Sequence, residues 1–181
     1  GEKQDPSQVT KAPKLKKEDG PPKLDFVRTR DILAELGRHP DRPRLMVGFA
    51  GAKGFGGGFA GASASDFGEP EMKAFVGHTK TLAGRLERAL GGIRADRRIA
   101  LLHYSPVAET LAGEPREIHA FLGSYLLAEA VDRAGADLVI HGHAHRGSRN
   151  GTTPGGVPVR NVAAPVIGRA YEVFRFDAEE A

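Results

Sequence analysis

Two stretches decide the fold: RIALLHYSP at residues 98–106 and DLVIHGHAHRG at residues 137–147. Each begins as a short run of Ile, Leu and Val, which is typical of a buried strand, and each runs directly into a segment that contains histidine. Between them, FLGSYLLAEAVDRAGA (121–136) has the apolar spacing of an amphipathic helix. The alternation of strand and helix predicts an α/β layered fold.

The same alternation continues on both sides of this centre. RLMVGFA (44–50) predicts another buried strand, and GAKGFGGGFAGAS (51–63) is too rich in glycine for helix or strand. EPEMKAFVGHTKTLAGRLERALGGI (69–93) predicts a long helix that is opened by its proline and ended by its glycine pair. VPVRNVA (157–163) and AYEVFRF (170–176) alternate well enough to predict strands at the end of a sheet.

Length and composition favour one cytoplasmic globular domain, alone or with a short appendage. A chain of 181 residues can bury a core without cross-links, and the lack of cysteine excludes disulfides and thiolate metal ligands. No apolar run approaches the roughly 18 residues that a membrane helix needs. The first residues, GEKQDPSQVTKAPKLKKEDGPP (1–22), lack the apolar core of a secretory signal. We therefore expect no membrane partner.

The positive charge of the chain lies in its first fifty residues. They hold 11 Lys and Arg against 8 Asp and Glu, which accounts for the whole net charge of +3. A binding site for single-stranded nucleic acid would place aromatic side chains among the basic ones, and Phe26 is the only aromatic residue before Phe49. Nucleic acid is therefore a poor candidate partner.

Histidines follow both of the strands that decide the fold. His103 follows the first strand, while His141, His143 and His145 stand at the end of the second. Ligands of open α/β sheets gather at the carboxyl ends of strands, and imidazole suits Zn, Fe, Mn and similar ions. The alternative for the His-x-His motif is a pair of solvated loop histidines. For His141 the choice is between a residue that supports the ligands and a core histidine, and we favour the core.

Residues 51–181 resemble the C-terminal half of a calcineurin-like metallophosphoesterase. The resemblance rests on Gly-His-Ala-His (142–145), on Leu-His-Tyr (102–104) and on the sequence that flanks these two motifs. It implies half of a layered β-sandwich flanked by helices. It also implies divalent metal ions (Mn, Fe, Zn or Mg), with His103 and His143 on one ion and His145 on the other. The activity implied is hydrolysis of a mono- or diester in a small phosphorylated substrate.

The motifs that this family carries in its first half do not occur in the sequence. They are Asp-x-His, Gly-Asp and Gly-Asn-His, and they supply bridging carboxylates and the histidine that protonates the leaving group. The catalytic residues are therefore unknown, and we expect an incomplete phosphoesterase whose site a second chain could complete. An inactive metal-binding domain is a further alternative.

Residues of about 11–50 resemble phosphopantothenoylcysteine synthetase, the CTP-using enzyme of coenzyme A synthesis. The resemblance rests on Lys-Leu-Lys-Lys (14–17), Arg-Thr-Arg-Asp-Ile-Leu (28–33) and Val-Gly-Phe-Ala (47–50), and it implies that Lys14, Asp31, Ile32 and Phe49 contact the nucleotide. It gives the alternative function, a fragment of a CTP-dependent phosphopantothenate–cysteine ligase. A basic arm with one helix and one strand is the plainer alternative. The predicted organisation is a basic segment 1–50 joined, as a fusion or fragment, to a half-domain 51–181.

Overall fold

The computed structural model describes residues 38–40 and 44–176. Contacts divide the chain between residues 30 and 31, and every described residue belongs to the unit Asp31–Ala181. The strands of the described part are β1 (Val47–Ala52), β2 (Gly58–Phe59), β3 (Ala62–Ser63), β4 (Arg97–Leu102), β5 (Leu138–His141), β6 (Asn150–Thr152) and β7 (Pro158–Asn161). Its α-helices are α1 (Pro70–Gly91), α2 (His119–Leu122), α3 (Tyr125–Ala134) and α4 (Ala164–Ile167), and 3-10 turns cover Glu109–Leu111 and Arg116–Ile118.

A five-stranded sheet with the order β1-β4-β5-β7-β6 forms the centre of this unit. The first four strands in that order run parallel, and only β6 pairs antiparallel with its neighbour. Strands β2 and β3 form a separate two-stranded antiparallel ribbon. The sheet is thus mostly parallel, as the alternation of strands and helices in the sequence favours.

Helices α1 and α3 cover one face of the sheet. The buried side chains of α1 recur at intervals of three and four residues, which places them on one stripe of the helix: Val76, Thr79, Ala83, Leu86 and Leu90. Helix α3 begins where the Ser124 hydroxyl accepts a hydrogen bond from the Leu126 amide, and it ends at Gly135 with a left-handed φ of 69°. Both caps satisfy backbone groups that the helix itself cannot pair.

The core lies between these two helices and the sheet. One residue from each parallel strand contributes to a row that the strand register aligns, consisting of Ala50, Ala100, Val139 and Val159. Each of the four is at most 9% exposed. Small and β-branched side chains in this row allow the helices to approach the sheet closely, and larger residues such as Leu86, Leu90 and Leu127 fill the space above it.

The α/β class is confirmed, but the more specific sandwich is not found. The described residues form one five-stranded sheet and a short ribbon, with the large helices on one face, rather than half of a calcineurin-like β-sandwich. The strand predicted over 170–176 is also wrong, since 171–176 has no regular structure. Within this segment, the carboxylate of Glu172 pairs with Arg149 and Arg169 at 2.6 Å each.

Within the described residues, no helix combines the length and the apolar character needed to cross a membrane.

The packing of α3 predicts that replacing each of two leucines by alanine will lower the free energy of unfolding by very different amounts. Leu127 on α3 is 0% exposed, whereas Leu101 on β4 is 41% exposed. Leu127→Ala leaves a cavity in the core and should lower the free energy of unfolding by about 2–5 kcal/mol. Leu101→Ala should lower it by about 1 kcal/mol or less. Urea denaturation of both variants checks this, and equal losses would contradict the placement of α3 over the sheet.

Candidate functional site

Three neighbouring parallel strands bring polar side chains to one edge of the sheet. Lys53 follows β1 directly, His103 follows β4 directly, and His143 lies two residues after the end of β5. Because β1, β4 and β5 are paired in parallel register, their carboxyl ends lie side by side. Residues far apart in the sequence therefore meet where ligands of α/β folds bind.

Backbone hydrogen bonds join the first two of these segments. The amides of His103 and Tyr104 both donate to the carbonyl of Lys53, each at 3.1 Å. The Lys53 ammonium lies 5.8 Å from the centre of the Tyr104 ring, within reach of a cation–π interaction. These contacts within the protein hold the loop after β4 against the loop after β1.

His103, Tyr104 and His143 form a compact group, called here the ring cluster. The ring centres of His103 and His143 are 4.5 Å apart, and Tyr104 is also 4.5 Å from His143. Phe55 extends the group from the glycine-rich loop, with its ring centre 5.8 Å from that of Tyr104. Imidazole nitrogens and a phenol at this edge can donate or accept hydrogen bonds to a polar ligand.

His143 has a backbone conformation that is uncommon for a residue with a side chain. Its φ is 69°, in the left-handed region, which costs free energy unless the surroundings enforce it. Asn161 on β7 helps to enforce it, since its side-chain amide donates to the Ala144 carbonyl at 2.8 Å. Partial burial and then the charge of His103 lower the pKa of His143, while a hydrogen bond with the backbone of Phe121 acts in the opposite direction.

His141 belongs to the core and not to the ring cluster. Its side chain is completely buried, its Nε2 lies 2.9 Å from the Thr110 hydroxyl, and its Nδ1 lies 2.8 Å from the Gly142 carbonyl. The Thr110 hydroxyl in turn lies 2.7 Å from that of Ser105. Burial lowers the pKa of His141 from 6.5 to about 4, so the ring is neutral near pH 7.

The structure brings together some of the residues expected from the sequence and leaves others apart. The rings of His103 and His143 are neighbours, whereas His145 is exposed and is not part of the ring cluster. The charge of His145 still contributes to the lowered pKa of His143. Of the expected nucleotide contacts, Lys14, Asp31 and Ile32 lie outside the described residues. The fourth, Phe49, lies on β1.

Sequence reasoning missed two members of this edge. Tyr104 directly follows His103, so its place beside the histidines could have been read from their adjacency. Lys53 carried no signal of its own, because its approach to Tyr104 depends on the pairing of β1 with β4.

One family model matches the chain, and it covers the N-terminal part. Residues 5–54 match the family described as DNA/pantothenate metabolism flavoprotein C-terminal domain. Neither a curated protein nor a solved structure matches the chain. The matched segment overlaps the residues that resemble phosphopantothenoylcysteine synthetase and includes all of β1.

This match corrects the predicted function. The interpretation as a metallophosphoesterase is wrong, because the matched family belongs to pantothenate metabolism and agrees with the alternative instead. The description of the chain as a metal-binding hydrolase is corrected with it. Among residues 38–40 and 44–176, no group of three or more His, Asp or Glu side chains is arranged to hold a metal ion. The assignment of His103, His143 and His145 as individual metal ligands stays a prediction from the sequence.

Metal analysis of the purified chain tests that ligand assignment. If the three histidines are ligands, the double variant His143→Ala, His145→Ala should lose the bound metal. Binding should also weaken below about pH 6, because imidazole must be neutral to coordinate. His119→Ala, outside the ring cluster, is the matched control. Equal metal content in wild type and double variant would remove the assignment.

The buried His141 predicts a specific loss of stability in acid. Its pKa of about 4 in the folded protein lies below the ordinary 6.5, so the unfolded chain takes up a proton first as the pH falls. The contribution of neutral His141 to the free energy of unfolding is fully present above pH 6.5. It should be lost as the pH falls toward 4, by up to about 3 kcal/mol.

Urea denaturation at several pH values measures this loss. His141→Gln should be less stable at pH 7 and should depend less on pH between 6.5 and 4, because the titrating group is gone. A variant with the same dependence as the wild type would show that other groups cause the loss.

Proposed function

We propose that this chain binds CTP through its N-terminal segment, as a part of a CTP-dependent phosphopantothenate–cysteine ligase of coenzyme A biosynthesis. The observation that carries the proposal is the family match over residues 5–54. This segment contains the four residues that the resemblance assigns to nucleotide contact, Lys14, Asp31, Ile32 and Phe49.

The exposure of Phe49 supports a role in contact with the base. Phe49 is 57% exposed, although it lies in the middle of β1. Its neighbours Gly48 and Ala50 are buried, and Ala50 belongs to the core beneath the helices. Since side chains alternate along a strand, the Phe49 ring stands on the opposite face. An aromatic ring held at such a place by a parallel sheet can stack on a base.

Leu101 supports the same interpretation from the next strand. The strand register aligns Gly51 with Leu101, which places the Leu101 side chain on the face that Phe49 shares. Leu101 is 41% exposed, so the two residues give this face an accessible apolar character. Gly51, which is paired with Leu101, adds no side chain to this face. We therefore expect the base to stack on the exposed Phe49 ring itself.

The charge of the N-terminal segment favours a triphosphate ligand. The first fifty residues hold the net positive charge of the chain. Three of their lysines, Lys14, Lys16 and Lys17, lie within the four consecutive positions 14–17. A triphosphate carries several negative charges, so these lysines would attract it, and added salt would screen the attraction. Charge alone does not distinguish one nucleotide from another, so preference for CTP has to come from contacts with the base.

Binding of CTP and ATP to the purified chain, measured by calorimetry, tests the proposal. We expect CTP to bind in preference to ATP, and Phe49→Ala to weaken CTP binding by about 5-fold or more through loss of stacking. Lys14→Ala should weaken both nucleotides and reduce the dependence of binding on salt.

Two matched variants serve as controls. Phe67→Ala removes a ring that is 87% exposed and lies outside the matched segment, and Lys73→Ala removes an exposed charge from α1. Neither should change CTP binding. Equal affinity for CTP and ATP that Phe49→Ala leaves unchanged would reject the proposal.

A further inference from the structure

A cleft lies away from both the ring cluster and the Phe49 face. Its volume is about 620 Å³, and it is bounded by the β2–β3 ribbon, the segment 106–109, helix α3 and the turn between β6 and β7. None of its lining residues belongs to the ring cluster or to β1. A volume of this size falls within the range of sites for small molecules.

The walls of the cleft are apolar and are held by the core. Phe59, Val107 and Ala128 line it, and each is at most 9% exposed. Val107 and Ala128 are members of the main core cluster beneath the helices, and Phe59 packs in a second cluster with Leu122. Side chains anchored in this way keep their positions without a ligand. The cleft is therefore formed in advance for an apolar body.

The charged groups of the lining are all acidic. Glu109 and Glu129 contribute carboxylates, and no Lys, Arg or His lines the cleft. Glu109 is held in place by the amide of Thr152, which donates to its Oε2 at 2.8 Å. Glu129 accepts a hydrogen bond at 3.3 Å from Arg133, a residue outside the lining, and so has a partial counter-charge. Glu109 is the carboxylate with more capacity for a cationic partner.

We propose that this cleft binds a small, mostly apolar molecule that carries one amine cation. The apolar body would lie against Phe59, Val107 and Ala128, and the ammonium group would pair with Glu109. An apolar wall excludes strongly hydrated ligands, and a lining whose only charged residues are the two carboxylates Glu109 and Glu129 disfavours anions. The proposal is independent of CTP binding, because the two regions share no residue.

Three probes with one carbon skeleton test the proposal on the full chain: 4-phenylbutylamine, 4-phenylbutanol and 4-phenylbutanoate. Titrations followed by NMR should give a dissociation constant of about 1 mM or lower for the amine. The alcohol should bind more weakly and the carboxylate most weakly. The alcohol reports the apolar contribution alone, so the difference between amine and alcohol measures the contribution of charge.

Variants locate the charge. Glu109→Gln keeps the oxygen that accepts from Thr152 but removes the charge, so it should weaken amine binding by about 5-fold and leave the alcohol unchanged. Glu87→Gln is the matched control. Like Glu129 of the cleft, Glu87 accepts a hydrogen bond from Arg133, but it does not line the cleft. Ala60→Trp, at an exposed position of the lining, should block all three probes.

Each contrary result is decisive. Equal affinities for amine, alcohol and carboxylate would overturn the assignment of a cationic ligand. Amine binding that Ala60→Trp leaves intact would place the site elsewhere, and failure of all three probes to bind would remove the cleft as a site for this class of molecule.

Discussion

The parallel register of β1, β4, β5 and β7 is the constraint on which the rest of the described unit depends. It aligns Ala50, Ala100, Val139 and Val159 in one buried row, and this row is the surface against which α1 and α3 pack. The same register brings the carboxyl ends of β1, β4 and β5 to one edge. A shift of one residue in any strand would turn its core side chains to the opposite face and separate the groups at that edge.

Polar groups within the core stabilise the edge on which the ring cluster lies. His141 ends β5 and connects through Thr110 to Ser105, so a buried chain of hydrogen bonds joins the end of β5 to the segment that follows β4. Asn161, paired with His141 in the register of β5 and β7, holds the loop of His143 through the Ala144 carbonyl. Buried polar groups that are paired in this way favour one arrangement of the loops, because any other arrangement leaves them without partners.

Strand β1 connects the two parts of the chain that the sequence had suggested were separate. It lies within the segment 5–54 that matches the pantothenate metabolism family, yet its partner β4 lies outside that segment. The boundary predicted between residues 50 and 51 falls inside this strand. Residues of the matched segment are therefore part of the same sheet as the histidine loops, with Ala50 in the shared core and Phe49 on the other face.

The sequence by itself determined the elements whose signal is local. The apolar runs of β4 and β5 and the helices α1 and α3 depend on residues a few positions apart, and the structure has these elements within or close to the stretches where the pattern predicts them. Only the tertiary structure decided which elements are neighbours. The contact of Lys53 with Tyr104, the 4.5 Å approach of His103 to His143 and the cleft with its acidic lining each join segments distant along the chain. The physical reason is that strand pairing and packing arise between such segments, and local spacing carries no record of them.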